Sequence, residues 1–219
     1  MNFLAHFLLA EPLRPDHRAS PQTLLGAVLP DLHRGPLPTN LHPDTAAAVT
    51  QHHRVDAFTD THPAVAQSKA RLSRLLQNDT TARFAAITVD ILYDHLLCLD
   101  WPAYTHTPLA DYTASVHQRL ATLDHTTTDH PTTNHPSPRA AAALHRIRDT
   151  QLLEHYATPD GLRTALDRFS AYLSHRFSRH AEQPIDLTPA VDDLLDDLTG
   201  FRNDFTDFFP QLQRYAGSP

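Results

Sequence analysis

At 219 residues, 41% hydrophobic and with a formal charge of −7, the chain is sized for one well-buried domain. It lacks the basic excess that nucleic-acid binding usually requires. Five glycines are too few for the turns of a β-rich fold, and a single cysteine, Cys98, excludes an intramolecular disulfide or a cysteine zinc site. Cys98 lies among apolar residues and reads as a small core side chain.

The opening run MNFLAHFLLA predicts a short apolar helix over 2–10. It lacks the basic leading region and small-residue cleavage site of a signal peptide, and no run approaches membrane-span length. The expectation is a cytoplasmic protein with no membrane partner. Ser20-Pro21 predicts a cap followed by proline at the first helical position, opening a helix with Leu24, Leu25, Val28, Leu29 and Leu32 at core spacing. A turn through Gly35, Pro36 and Pro38 precedes a predicted helix from about 43 to 60. His62-Pro63 breaks it, and a further helix follows over 64–76.

Asp79 or Thr80 is expected to cap a long helix over 80–99 that ends near Trp101-Pro102. Helices are then predicted over 108–123, 139–156 and 159–177. The last is expected to run from Thr188-Pro189 through Val191, Leu194, Leu198, Phe201, Phe205 and Phe208. Residues 125–137, rich in Thr, His and Pro, read as a flexible, solvated insert. No stretch alternates as a strand would. The predicted fold class is all-α, in a single domain spanning 1–219.

Two segments carry the chemistry. His52-His53-Arg54-Val55-Asp56-Ala57-Phe58-Thr59-Asp60 places His52, Asp56 and Asp60 at successive four-residue steps. Asp90-Ile91-Leu92-Tyr93-Asp94-His95 repeats the step with Asp90 and Asp94, and His95 adjoins them. Residues four apart share a helix face. Two such faces opposed would surround a small volume with imidazoles and carboxylates, a mixture suited to Mn²⁺ or Mg²⁺. Both segments are otherwise apolar, so their carboxylates need partners.

In chain order, MNFLAHFLLA, LLGAVLPDLHRG, HHRVDAFTDTHP and TVDILYDHLLCLDW resemble the acyl carrier protein phosphodiesterase family. Weaker echoes follow in LLEHY, AYLSHRF and FTDFFPQL. The resemblance implies a single helical domain related to the HD-domain metal phosphohydrolases, with manganese as the preferred metal. It also implies cleavage of 4′-phosphopantetheine from holo-acyl carrier protein to give apo-carrier protein. Two segments depart from the family pattern. An amide position is Ala27 with Pro30 before Asp31, and His53 stands where an arginine is usual.

Together, resemblance and chemistry suggest Asp31, His52, Asp56 and Asp94 as metal ligands converging on one site. His95 is expected as a ligand or a supporting residue, and Asp60 or Asp90 as the group that orients an imidazole or the attacking water. Arg54 is expected to clamp the phosphoryl group. His6, His53 and Arg34 are candidates for substrate contact, with His6 equally readable as a core histidine. Removing Asp94 is expected to relieve repulsion and leave stability unchanged or raised. The acidic partner requires a local basic surface, expected near Arg34, Arg71 and Arg74. The alternatives are an HD-like phosphohydrolase of nucleotides or other small phosphoesters, and a non-catalytic carrier-protein-binding module.

Overall fold

Proline begins helix after helix. It is the first residue of α2 (Pro21–Leu32), α3 (Pro43–Thr61), α4 (Pro63–Leu75), α8 (Pro138–Asp149) and α10 (Pro159–Phe177). There its missing N–H costs nothing, and its fixed φ favours the first turn. The side chains of Ser20, His42, His62 and Ser137 cap four of these starts by accepting from the backbone N–H of Thr23, Asp44, Ala64 and Ala140. The computed structural model describes residues 2–11, 18–76, 79–125, 137–177 and 185–218, and these contain helices and no strand. The remaining elements are α1 (Phe3–Ala10), α5 (Asp79–Ala82), α6 (Ala85–Leu99), α7 (Leu109–His125), α9 (Leu152–His155), α11 (Ala190–Asp196) and α12 (Leu198–Ala216), with a short 3₁₀ turn over Trp101–Ala103. No described helix is long and apolar enough to cross a membrane. The expected insert at 125–137 falls almost wholly outside the described residues.

Three predicted helices are each divided in two. The 80–99 element becomes α5 and α6. The 139–156 element breaks at Gln151, whose φ of 47° is left-handed. The preceding Asp149-Thr150 pair, weak in helix propensity, marks the break. The last helix breaks at Asp197, the residue that accepts from Arg71 of α4 at 3.3 Å. The Arg71 guanidinium also lies 5.5 Å from the centre of the Phe201 ring. Arg71 is thus committed to this junction, which removes it from the expected basic docking surface.

The core is aromatic along α12, where Phe201, Phe205, Phe208 and Phe209 are fully buried. Tyr93 of α6 packs edge-on against Phe205 at 5.0 Å. Its hydroxyl donates to Ser68, which in turn donates to Asp204, so this buried polar chain is hydrogen-bonded throughout. Such rings contribute roughly 2–3 kcal/mol each through burial. They fix α6 and α12 against α4.

Two features position the helices that carry the acid-histidine residues. Gly26 lets α2 and α3 approach closely: a Cβ there would lie 2.4 Å from the Thr45 carbonyl oxygen and 2.7 Å from the Ala48 Cβ. The other is Asp94, fully buried on α6. Its two carboxylate oxygens accept from the backbone N–H groups of Leu4 (2.8 Å) and Ala5 (3.1 Å). Asn2 supplies no side-chain cap to α1, so Asp94 caps that helix from a distance of ninety positions in sequence. Burial raises its pKa to about 7, against the pull of the two amides. The expectation that removing Asp94 leaves stability intact is therefore corrected, because two buried N–H groups would lose their acceptor.

Two outcomes test this packing. Gly26→Ala should lower the melting temperature by on the order of 5 °C, because backbone has to move to admit the methyl group. Asp94→Ala should destabilise the metal-free protein at pH 7 by about 2 kcal/mol or more in urea unfolding, with Asp94→Asn costing less because one acceptor oxygen remains. Wild-type stability in Asp94→Ala would remove its anchoring role.

Candidate metal centre

The four-residue step on α3 puts His52 and Asp56 side by side, with His52 Nε2 2.9 Å from Asp56 Oδ2. Across the α2–α3 contact, the Ala27 carbonyl lies 2.8 Å from His52 Nδ1. That carbonyl can only accept, so Nδ1 carries a proton and Nε2 faces the carboxylates. Asp31, at the end of α2, brings Oδ1 to 3.8 Å from the same Nε2. From α1, His6 stacks on His52 with ring centres 4.1 Å apart and 19° between planes. His6 Nε2 lies 3.3 Å from Asp56 Oδ1 but is not aligned for a hydrogen bond.

Donor atoms of His6, His52 and Asp56 all fall within 4.8 Å of one another. Two imidazole nitrogens and a carboxylate converging on one point form a donor set for a borderline divalent cation, with positions left over for water or substrate. The hydrogen bond from His52 Nδ1 to a backbone carbonyl is the support that orients a ligating imidazole. The residues fit a divalent metal.

Charges at the centre are set by burial and by one another. Burial dominates at His6 and lowers its pKa to about 4, leaving its ring neutral at pH 7. Burial also works against a charged His52, but the Asp56 hydrogen bond and the Asp31 charge outweigh it and raise the pKa. Asp56 resists its own desolvation through its close contact with His52 and the adjoining His6 ring, which hold its carboxyl well below the usual range. Asp31 keeps 41% of its side-chain surface open to solvent. Loss of surrounding water nevertheless raises its pKa to about 6, with the Asp56 and Asp90 charges adding to the rise and His52 opposing it. His52 Nε2 and Asp56 Oδ2, 2.9 Å apart, are placed to share a proton.

The structure redistributes the roles expected from sequence. Asp31, His52 and Asp56 come together as anticipated, while the fourth position near them belongs to His6 rather than Asp94. Asp94 is turned to the α1 backbone, so it positions His6 instead of joining the cluster. Asp90, one turn before it on α6, has its pKa raised by burial. His95 points elsewhere: its Nδ1 meets the Tyr156 carbonyl at 2.6 Å, and its buried Nε2 has no hydrogen-bond partner.

Two further assignments lose their geometric basis. Asp60 is 70% exposed and pairs with Lys69 at 2.9 Å. Arg54 lies 5.2 Å from the centre of the Tyr215 ring and donates to the Ser218 carbonyl, so it packs on the C-terminal helix rather than facing the cluster. The physical reason is phase: residue 54 lies about 200° around α3 from residue 52. His53 is exposed, its ring set edge-on to that of His52 with centres 5.5 Å apart, and Arg34 is exposed three residues past Asp31. Sequence reasoning missed the Ala27 carbonyl altogether, since a backbone acceptor leaves no signature in residue type. His6 carried a signal in its place inside an apolar helix, without an indication of which partner it meets.

Comparison with known proteins adds an independent line. The chain is similar to the acyl carrier protein phosphodiesterase of Photorhabdus laumondii, at 37% identity over 115 residues, covering 48% of this chain and 52% of that protein. It is similar to that of Salmonella dublin at 36% over 124 residues, covering 56% and 58%. An Escherichia coli O127:H6 protein of the same name is 34% identical over 124 residues, again covering 56% and 58%. The matched segments thus span only about half the length of these relatives. No solved structure matches the chain. The family model described as acyl carrier protein phosphodiesterase matches residues 1–212, and by that match the chain belongs to this family.

Proposed function

We propose that this protein is a metal-dependent phosphodiesterase that removes 4′-phosphopantetheine from holo-acyl carrier protein and leaves apo-carrier protein. The observation that carries the reading is the convergence of His6, His52 and Asp56, with Asp31 on the exposed rim. Family membership and the names of the relatives supply the substrate class. A cluster of histidines and aspartates on adjoining helices also supports the kinship with HD-domain phosphohydrolases implied by the sequence.

In this reading His6, His52 and Asp56 hold the cation, and the nitrogen content of that set favours Mn²⁺ over Mg²⁺, which prefers oxygen. When bound, the cation supplies Lewis acidity at the phosphoryl oxygens and eases deprotonation of water. The Ala27 carbonyl keeps the His52 tautomer fixed, and Asp94 keeps His6 in register through the α1 backbone. Asp31 is partly open to solvent and has a pKa near neutrality. It accepts the proton of the attacking water. Asp90 supports the centre from α6. Arg34 and His53 lie exposed near the rim, where an acidic partner protein would dock.

The test is mass spectrometry of holo-carrier protein incubated with the enzyme and Mn²⁺. Loss of the prosthetic group is expected with wild type. His52→Ala should lower Mn²⁺ affinity by roughly 100-fold and abolish turnover. Arg54→Lys, off the centre, should keep a rate within about twofold of wild type. Retention of the prosthetic group by the wild-type reaction, or hydrolysis of free nucleotides instead, would refute the assignment.

Metal affinity should depend on pH in a defined direction. A cation beside Asp31 would favour its carboxylate over the protonated form it takes below about pH 6, and His52, with its raised pKa, would give up the proton it shares with Asp56. Binding therefore releases protons, and Mn²⁺ affinity should rise between pH 5 and 7.5. Calorimetric titration in two buffers of different ionisation enthalpy measures the release directly. An affinity that is flat across this range would contradict it.

A further inference from the structure

The helix that carries His6 has only eight residues, too few to hold itself, so its place is set by what grips it from outside. Its first turn matters most to the metal centre. The Asn2 carbonyl accepts the His6 N–H at 3.2 Å, so the backbone of Asn2 holds His6 one turn along. Asp94 grips the N–H groups between them, those of Leu4 and Ala5. A second grip falls on Asn2 itself. Its side chain makes no cap and instead donates to the Tyr156 hydroxyl at 2.7 Å, across 154 positions of sequence.

Tyr156 is built into its place from two sides. On α6, His95 Nδ1 meets the Tyr156 carbonyl at 2.6 Å, and Cys98 Sγ, three residues on, donates to the Leu153 carbonyl at 3.8 Å. Positions three apart are neighbours on one helix face, so two contacts fix the register of α9 on α6. A carbonyl can only accept, so Nδ1 carries the His95 proton. On the other side, Gly161 in the first turn of α10 lies against the residue before Tyr156. A Cβ there would stand 1.6 Å from the His155 carbonyl oxygen.

Tyr156 is 2% exposed, and burial together with the Asp94 charge keeps its hydroxyl protonated. The adjacent residues Asp94 and His95 thus share one task. Asp94 holds α1 directly, and His95 holds the residue that holds Asn2.

We infer that Tyr156 is a positioning residue of the metal centre, resting on the metal-centre reading above: held by His95, its hydroxyl fixes Asn2, and Asn2 sets where His6 meets His52 and Asp56. The Asp94-His95 pair then serves the cation by seating α1 rather than by meeting it. Loss of the hydroxyl leaves the Asn2 side-chain N–H without its acceptor and frees one of the two grips on the first turn. Metal–ligand distances tolerate only about 0.2 Å of misplacement, so a small shift of α1 is felt at the cation.

Two measurements test this. In metal-free protein, the His6 imidazole proton resonance, identified by its loss in His6→Gln, reports the stacking on His52 at 4.1 Å. It should shift in Tyr156→Phe and in Asn2→Ala. It should stay in place in Tyr93→Phe, which removes a buried hydroxyl bond to Ser68 away from α1. Mn²⁺ affinity, titrated calorimetrically, should fall about tenfold in Tyr156→Phe and in Asn2→Ala, with the double variant no weaker than either single one. Tyr93→Phe should stay within about twofold of wild type. An unmoved His6 resonance or wild-type Mn²⁺ affinity in Tyr156→Phe, additive losses in the double variant, or an equal loss in Tyr93→Phe would each overturn the inference. Wild type that binds no Mn²⁺, while the resonance moves as expected, refutes the metal centre and upholds the hold of Tyr156 on His6.

Discussion

The close contact of α2 with α3 at Gly26 governs the rest of the site. With hydrogen in place of a side chain, the helices come near enough for the Ala27 carbonyl to reach His52 Nδ1 at 2.8 Å. That bond fixes which imidazole nitrogen faces Asp56. The same contact carries the end of α2 toward α3, so Asp31 arrives beside His52. A methyl group at position 26 would push on the Thr45 backbone, and both arrangements would shift together.

A second constraint is the cost of burying carboxylates. Asp94 is fully buried, and the two N–H groups at the start of α1 compensate it. This interaction joins α6 to α1 and sets the height at which His6 meets His52. Asp56 is stabilised as an anion by the two histidines, while Asp31 at the rim is pushed toward neutrality. One small volume thus contains carboxylates with pKa values moved in opposite directions, a pattern that suits a site dividing ligand and proton-transfer roles. The shared proton between His52 and Asp56 occupies the ground that a cation would take.

The C-terminal helix matters through more than its aromatic core. The Ala216 carbonyl at its end accepts from Gln51 of α3 at 2.8 Å, and Gln213 donates to the Tyr104 carbonyl at 3.3 Å. Arg54 reinforces that edge through Tyr215 and Ser218. Its place on α3 serves the junction between α3 and α12.

By itself the sequence determined what is local. Proline and its preceding cap set the helix starts, apolar periodicity set the all-α class, and the four-residue step set His52 beside Asp56, because each depends on neighbours within one helical turn. The tertiary structure alone decided the members that come from afar. Ala27 contributes a backbone carbonyl that no residue type announces. His6 meets its partners only because Asp94 holds α1 from another helix. Asp60 and Arg54 share the motif with His52, but Asp60 lies one turn beyond Asp56, where Lys69 engages it, and Arg54 lies on another face of α3, against Tyr215. The breaks at Gln151 and Asp197 were equally invisible, since neither carries a glycine or proline and the latter coincides with Arg71 of a distant helix. Spacing along one helix is written in the chain, whereas which helices meet, and at what height, follows from packing and from the partners that buried charges require.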